Sequence, residues 1–547
     1  MNCLTTHLGR FGVYPAVVAV ILLLFGCVTP DYWYGDQPLY TPEGGDMGDS
    51  PVEEQVSLPT RQPTPLPTAE DGKIAIFIED AVFLCLQQNP ELLVERYNPM
   101  IALSFEQIER GRYDPEIFGE LQYLDETATE VSRSTRERFS VEGRDVNATA
   151  GVRQQLPTGT EIEATFGGKR SISNRTPEQQ DFRVGLTLTQ SLLKGFGPAT
   201  NLADIRLAEL DSRASYYQLR GFIETLVSEV EIGYWQYVFA EQGIAIFERS
   251  LEVARKQLAE VENRIEVGVI PKNAAAAART EVARRQQALI EARSIHAERR
   301  LRLMRLLNVT GSDRFSLQLI TRSSPQTATA PLDDLSEHVQ LAMKLRADLG
   351  EAGLQQKKQE LEVVRTRNGL LPKLDFFIDI GKTGYAESFR GAVSDLENDS
   401  YDLLTGLRFS SYLDNRSARG RHQAATVSRA QAAAAVDNLK SLIAYDVLAA
   451  ANEVNRAEKK IEASRVTRML QEQTLEAEQE RFAVGNVTSL LVAQAQRDLL
   501  VSQLDEVEAK VDYRIALVRF FLAEGSLLER RGIKLDSALA GPGTPVL

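Results

Sequence analysis

The hydrophobic period of this chain switches between two residues and about three and a half, in the same order in each half, and few folds accommodate that. In the first half, Ile162, Ala164 and Phe166 alternate with Glu161, Glu163 and Thr165, and Val184, Leu186 and Leu188 alternate with Gly185, Thr187 and Thr189. A period of two marks a strand with one apolar and one polar face. The second half repeats it with Leu374, Phe376, Ile378 and Ile380, then with Leu403, Thr405, Leu407 and Phe409. Beyond each strand region the period lengthens. Phe247, Leu251, Ala254, Leu258, Val261 and Ile265 are spaced alternately by four and three, the seam of a coiled coil. Leu490, Ala493, Arg497, Leu500, Leu504, Val507 and Val511 keep that spacing, with Arg497 as the one polar intruder. A helix from about Ala203 to Val267 would be roughly 100 Å long at 1.5 Å per residue, a length for which a compact globule has no use.

The two halves are a duplication. Asn89-Pro90-Glu91-Leu92 and Arg346-Ala347-Asp348-Leu349 each read as lying inside an amphipathic helix that ends at a proline, Pro115 or Pro372, and both landmarks are 257 positions apart. Gly268 in ENRIEVGVIPKN and Gly485 in EQERFAVGNVTS mark the turns between long helices, 217 positions apart. The first half is therefore 40 residues longer, mostly in its strands, because 75 residues separate Pro115 from Gln190 and 39 separate Pro372 from Ser411. Leu156-Pro157-Thr158-Gly159-Thr160 reads as a hairpin turn, which would make Gly151–Phe166 an extra strand pair extending outward as a loop. Two strands per half are four core strands per chain, too few to close a barrel. Open edges are too costly in hydrocarbon, so a spanning barrel would have to be shared between chains. A soluble sandwich satisfies the same alternation.

Composition narrows the class. The chain has 547 residues, 21 Pro, 3 Cys and 7% aromatics, which favours long regular elements over disulfide-stapled modules. Cys3, Cys27 and Cys85 fit neither a disulfide framework nor zinc spacing. A net charge of −14 argues against nucleic acid and leaves proteins or cations as partners. Pro15–Phe25 is apolar but shorter than the roughly 20 residues of a spanning helix, and reads as a secretion signal over residues 1–26. Leu24-Phe25-Gly26-Cys27 resembles a bacterial lipobox, with Cys27 as a lipidated mature N-terminus and Val28 in place of the aspartate that would retain it from the outer membrane. Residues 27–72, rich in Pro, Gly, Asp and Thr, form a disordered tether. No later stretch is long and apolar enough for a transmembrane helix, so any insertion must use strands.

EDAVFLCLQQNPEL, the GLLPKLDF helix-to-strand junction, LTQSLLKGFGPATN on the return, and the paired RIEVG and RFAVG turns resemble signatures of the TolC-type outer-membrane efflux family, over about Lys73–Glu524. The resemblance implies a mainly α fold with a β-barrel part, built from a duplicated strand and coiled-coil hairpin repeat. It implies a homotrimer sharing a 12-stranded transmembrane barrel that continues into a periplasmic α-helical tunnel. Residues 73–310 would be the first repeat, 311–332 a linker, 333–526 the second repeat and 527–547 a C-terminal tail. The implied function is a passive outer-membrane channel exporting small molecules or proteins, the outer component of a tripartite efflux or type I secretion system. Its partners would be a periplasmic adaptor and an inner-membrane pump of RND, ABC or MFS type.

In that family the hairpin tips dock the adaptor, which places the surface here at Val267, Gly268, Val269 and Ile270 and at Val484, Gly485, Asn486 and Val487. Where relatives carry constricting aspartates, this chain has Ala274, Leu491 and Gln494, which become aperture candidates without an acidic ring. The same glycines and helix-packing residues would also serve as plain C-caps and core.

Other chemistry finds little support. His7, His296, His338 and His422 are dispersed, and His296 and His338 read as surface residues on polar helices. GFGPAT at Gly195 lacks the third glycine of a dinucleotide loop, and Gly381-Lys382-Thr383 lacks the upstream glycine of a phosphate loop. We expect no enzyme and no cofactor. The alternative reading is a periplasmic coiled-coil adaptor or scaffold, which should show one hairpin within a lipoyl-like β-domain, whereas this chain shows two hairpins and a repeat.

Overall fold

The computed structural model describes residues 73–533 except 132, 133, 135, 175, 176, 309–317, 326–331, 333 and 399. The signal segment, Cys27, the tether and most of the expected tail lie outside the described residues. The chain opens with β1 (Lys73–Ile76), α1 (Ile78–Gln88), α2 (Pro90–Glu95) and α3 (Tyr97–Gly111). Four strands follow, β2 (Glu116–Val131), β3 (Arg138–Gln155), β4 (Thr160–Ser173) and β5 (Gln179–Ser191). A short turn of helix, α4 (Pro198–Asn201), leads into the long hairpin of α5 (Ala203–Glu266) and α6 (Ala274–Leu307). The second half repeats the plan with β6 (Gln318–Thr321), α7 (Leu335–Leu345), α8 (Ala347–Asn368), β7 (Lys373–Ala386), α9 (Phe389–Asp395) and β8 (Asp402–Ser410). It closes with the hairpin of α10 (Arg416–Ala483) and α11 (Ser489–Glu524), then α12 (Leu527–Arg530).

The duplication is visible in the backbone. Asn89 and Arg346, 257 positions apart, are both extended, with φ −66° and ψ 123° in one and φ −62° and ψ 125° in the other. Each ends one helix and begins the next, so these landmarks sit at helix junctions and not inside a single helix. The Asn89 carboxamide explains its own break: its oxygen accepts from the Glu91 and Leu92 amides at 2.8 and 3.1 Å, capping α2. The proline rule holds as well, since β2 starts right after Pro115 and β7 right after Pro372.

The long helices match the seam. α5 has 64 residues and α10 has 68, each roughly 100 Å long. Leu251, Ala254 and Val261 are buried along the first hairpin, as are Ala493, Leu500 and Val511 along the second. Leu490 departs from its expected seam position and is 56% exposed; near the tip Val492 takes the buried place instead. Two cores lie higher up. One gathers Tyr234, Trp235 and Tyr237 of α5 with Leu303 and Leu307 of α6, α1, and Leu527 and Leu528 of α12. The other packs Ile443, Val447 and Val454 of α10 against Tyr513 and Phe520 of α11 and against α7. The parallel pair β1–β6 ties the start of the first half to the start of the second, and the Tyr234 and Tyr237 hydroxyls donate to the Ile76 and Leu319 carbonyls at 3.0 and 2.8 Å.

The sheet departs from expectation in number. It has 6 strands in the order β2-β3-β4-β5-β7-β8, all antiparallel, so the first half supplies four strands and not two. The hairpin turn at Leu156–Thr160 is present: the Leu156 amide donates to the Thr160 carbonyl at 2.7 Å, and Gly159 has φ +85°. Its place is the reverse of the outward loop. The Asn201 carboxamide donates to the Pro157 carbonyl at 3.0 Å and the Gly197 amide to the Thr158 carbonyl at 3.0 Å, docking the turn against the β5-to-α5 connection at the helical end. The turn needs glycine, because a Cβ on Gly159 would sit 2.1 Å from the Gly195 carbonyl oxygen.

Candidate functional site

Both helical hairpins end in the same device. At the first, the Gly268 amide donates to the Ile265 carbonyl at 3.1 Å and the Val269 amide to Arg264 at 2.9 Å; at the second, Gly485 donates to Phe482 at 3.1 Å and Asn486 to Arg481 at 2.9 Å. This is a Schellman cap with glycine at the left-handed position, φ +77° and +82°. The caps turn Val267, Val269 and Val484 outward, each at least two-thirds exposed, while Ile270 and Val487 fold back onto the tip core of Val261, Phe482 and Val492. Both tips thus hold apolar side chains in water. Asn486 is exposed between them.

The two tips are tied together asymmetrically. Arg264 donates to the Phe482 carbonyl at 2.9 Å, capping the end of α10, and lies over the Phe482 ring at 4.5 Å. The expected aperture positions lie at the starts of two different helices. Ala274 begins α6, and Leu491 and Gln494 lie exposed on the first turns of α11. Sequence spacing missed a buried ionic cluster just above them. Arg497, the polar residue in the seam, donates to Glu281 across the α6–α11 contact at 3.0 Å, and Glu281 is 2.8 Å from Arg285 one turn along α6. Glu281 and Arg285 are almost wholly buried, and Arg285 approaches off the line a hydrogen bond requires, leaving its Nε without a partner. Desolvation pulls the Arg285 pKa down against the opposing pull of Glu281.

At the other end, the strand register builds a two-faced wall. On one face, Val152 neighbours Ala164, Ala164 neighbours Leu186, Leu186 neighbours Ile380, and Ile380 neighbours Leu403. On the other face, Arg153 neighbours Glu163, Glu163 neighbours Thr187, and Thr187 neighbours Asp379. The apolar face is open, with Phe166, Leu407 and Phe409 among its exposed members. The GFGPAT phrase joins wall to tunnel: the Gly195 amide donates to the Asn368 side chain at 2.8 Å, and Asn201 donates back to the Gly195 carbonyl at 2.9 Å.

Two of the histidines and Cys85 are packed into the helical part. His338 is half-buried, bonded to the fully buried Glu524 and edge-on to Phe520, and His296 stacks on Tyr237 at 4.8 Å, so both pack into the protein and do not stand free on its surface. The Cys85 thiol is buried and its pKa is pushed up to about 12 by desolvation, which makes it inert. Among the described residues, no three His, Cys, Asp or Glu side chains group as metal ligands, and no helix is long and apolar enough to cross a membrane.

An antiparallel sheet with one apolar and one polar face, running into helices about 100 Å long that end in exposed caps, defines a barrel-and-tunnel channel of the outer membrane. The model of the outer membrane efflux protein family matches residues 144–309 and 338–526, and the chain belongs to that family. Solved structures agree on the fold. The outer-membrane channel OprN superposes with a TM-score of 0.63 at 16% identity, over 82% of this chain and 89% of that one. The CmeC outer membrane channel of Campylobacter jejuni gives 0.61 at 15%, over 82% and 86%. The outer membrane protein VceC of Vibrio cholerae gives 0.61 at 15%, over 82% and 96%. A search of curated protein sequences finds no match.

Proposed function

We propose that this chain is the passive outer duct of a tripartite export system, working as a homotrimer that carries small molecules or proteins from the periplasm through the outer membrane. The observation that carries this is the two-faced wall, which has an apolar side for lipid and a polar side for a water-filled bore and is continuous with helices long enough to line a tunnel. Energy then comes from an inner-membrane pump of RND, ABC or MFS type, reached through a periplasmic adaptor. The adaptor would seat on Val267, Gly268, Val269 and Ile270 and on Val484, Gly485, Asn486 and Val487, where the caps hold Val267, Val269 and Val484 in water. Leu491 and Gln494, exposed beside the tips, and Ala274 at the start of α6 would line the closed aperture.

In this reading residues 1–26 direct secretion, Cys27 carries the lipid anchor, residues 27–72 tether it, and residues 73–310 and 333–526 are the two repeats, joined by 311–332 and followed by the 527–547 tail. Planar-bilayer recording on the purified, folded protein tests the duct. Discrete channels are expected; a folded trimer that never conducts would refute the reading. A photo-crosslinker at Val269 or Val484 should capture an adaptor protein in the periplasm, while one at Leu188, on the wall, should not.

A further inference from the structure

The number of strands each copy brings sets the size of the wall. We propose that three chains close an 18-stranded barrel, with β2 of each pairing antiparallel to β8 of the next, in place of the 12 strands that two per repeat would supply. This rests on the reading of the chain as a trimeric outer-membrane duct.

The sheet of 6 strands ends in β2 on one side and β8 on the other, and among the described residues neither outer edge has a partner. Such an edge is untenable in hydrocarbon, where each unpaired amide or carbonyl costs several kcal/mol. Strand direction suits a second copy of the same chain. β2 runs away from the helices and β8 returns to them, so β8 of one copy meets β2 of the next in the antiparallel sense found at every other pair. Three copies of 6 strands then make 18.

Over its half nearer the helices, the β2–β3 hairpin extends the apolar row of the wall. Through the register, Ile117 and Leu121 fall on the same side as Val152 and Ala148, which lead through Ala164 and Gly168 to Leu186 and Phe182 on the apolar face of β4 and β5. Ile117 and Leu121 are 83% and 76% exposed, as bare as Leu407 and Phe409 on the opposite edge. A flap lying in water would have no reason to leave Ile117 and Leu121 bare in line with the apolar row of the wall. On the polar face the edges carry opposite charges near the same end, Glu120 on β2 and Arg408 on β8.

Perimeter favours the larger number. Four helices per chain, α3, α5, α8 and α10, abut the sheet. Twelve of them packed 8–10 Å apart span roughly 100–120 Å. Eighteen strands about 4.8 Å apart and tilted by about 45° span roughly 120 Å, whereas twelve at that tilt span about 80 Å. The larger barrel continues the bore of the tunnel without a step.

Cryo-electron microscopy of the full chain, purified from outer membranes into lipid nanodiscs, counts the strands directly. We expect 18, with a β8–β2 seam between copies. A trimeric barrel of 12 with the β2–β3 hairpin standing off the wall would overturn the count and leave the duct intact; the absence of a trimeric barrel would overturn both. As an independent measure, a fluorophore on Leu121→Cys should be quenched by brominated acyl chains as strongly as one on Leu188→Cys in β5. Quenching at Leu188 alone would overturn the proposal.

Discussion

Glu281, Arg285 and Arg497 show how one residue type acquires meaning from its surroundings. Arg497 breaks an apolar seam because Glu281 waits across the α6–α11 contact at 3.0 Å. Removing the acid strands the buried Arg285 guanidinium without a counter-charge, so Glu281→Ala is expected to destabilise the hairpins by about 3 kcal/mol, whereas replacing all three by Leu should recover most of it. Thermal unfolding of the two variants checks the pair. Glu224 makes a pH-dependent case. Burial raises its pKa from 4.5 to about 7, against the opposing pull of Arg220 at 3.0 Å. The folded chain thus keeps a proton between pH 4.5 and 7 that the unfolded chain releases. The stability from this group is complete below about pH 4.5 and is lost as pH rises to about 7. Glu224→Gln should therefore flatten the fall in thermal midpoint across that window; an unchanged slope would assign it to other groups.

Among the elements, the hairpin caps are where local sequence and function coincide. Gly268 and Gly485 were legible as turn glycines from the RIEVG and RFAVG phrases alone, because only a left-handed residue lets the helix reverse there. A Cβ at either would meet nothing within 4 Å, so the cost of Gly→Ala is the backbone's alone, about 1 kcal/mol. We expect several-fold faster amide exchange at Val269 in Gly268→Ala and at Asn486 in Gly485→Ala, each without effect on the other tip's cap. The strands were legible only in part. β4, β5, β7 and β8 alternate over most of their length, but β2 interrupts its apolar face with Gly119 and Asp125 and places Phe118 and Leu124 on the polar one, so its pattern is weak until β3 pairs with it. The bond between Asn201 and the Pro157 carbonyl, 44 positions apart, decides which end of the sheet the turn at Leu156–Thr160 occupies, and no local signal carries that.

For the molecule as a whole, the two-faced wall makes a prediction that separates lipid from bore. Leu186→Arg, in the apolar row of β5, should cost about 2–4 kcal/mol in assembly if it reaches the bilayer midplane, and Thr187→Arg beside it on the polar face should be tolerated. The fraction of heat-modifiable trimer on gels reads both. Equal losses would show that neither face meets lipid.

Period, turn glycines and duplicated landmarks are local properties, written into every few residues, and from them alone follow the strand-then-hairpin plan, the lengths of α5 and α10 and the equivalence of the two tips. The chain's amino acids did not by themselves decide that β2 and β3 join the wall, that the Leu156–Thr160 turn faces the helices, or that Arg497 has an acid to meet. Each of those depends on partners dozens to hundreds of positions away, and such pairings become definite only when the folded backbone brings the partners within bonding distance.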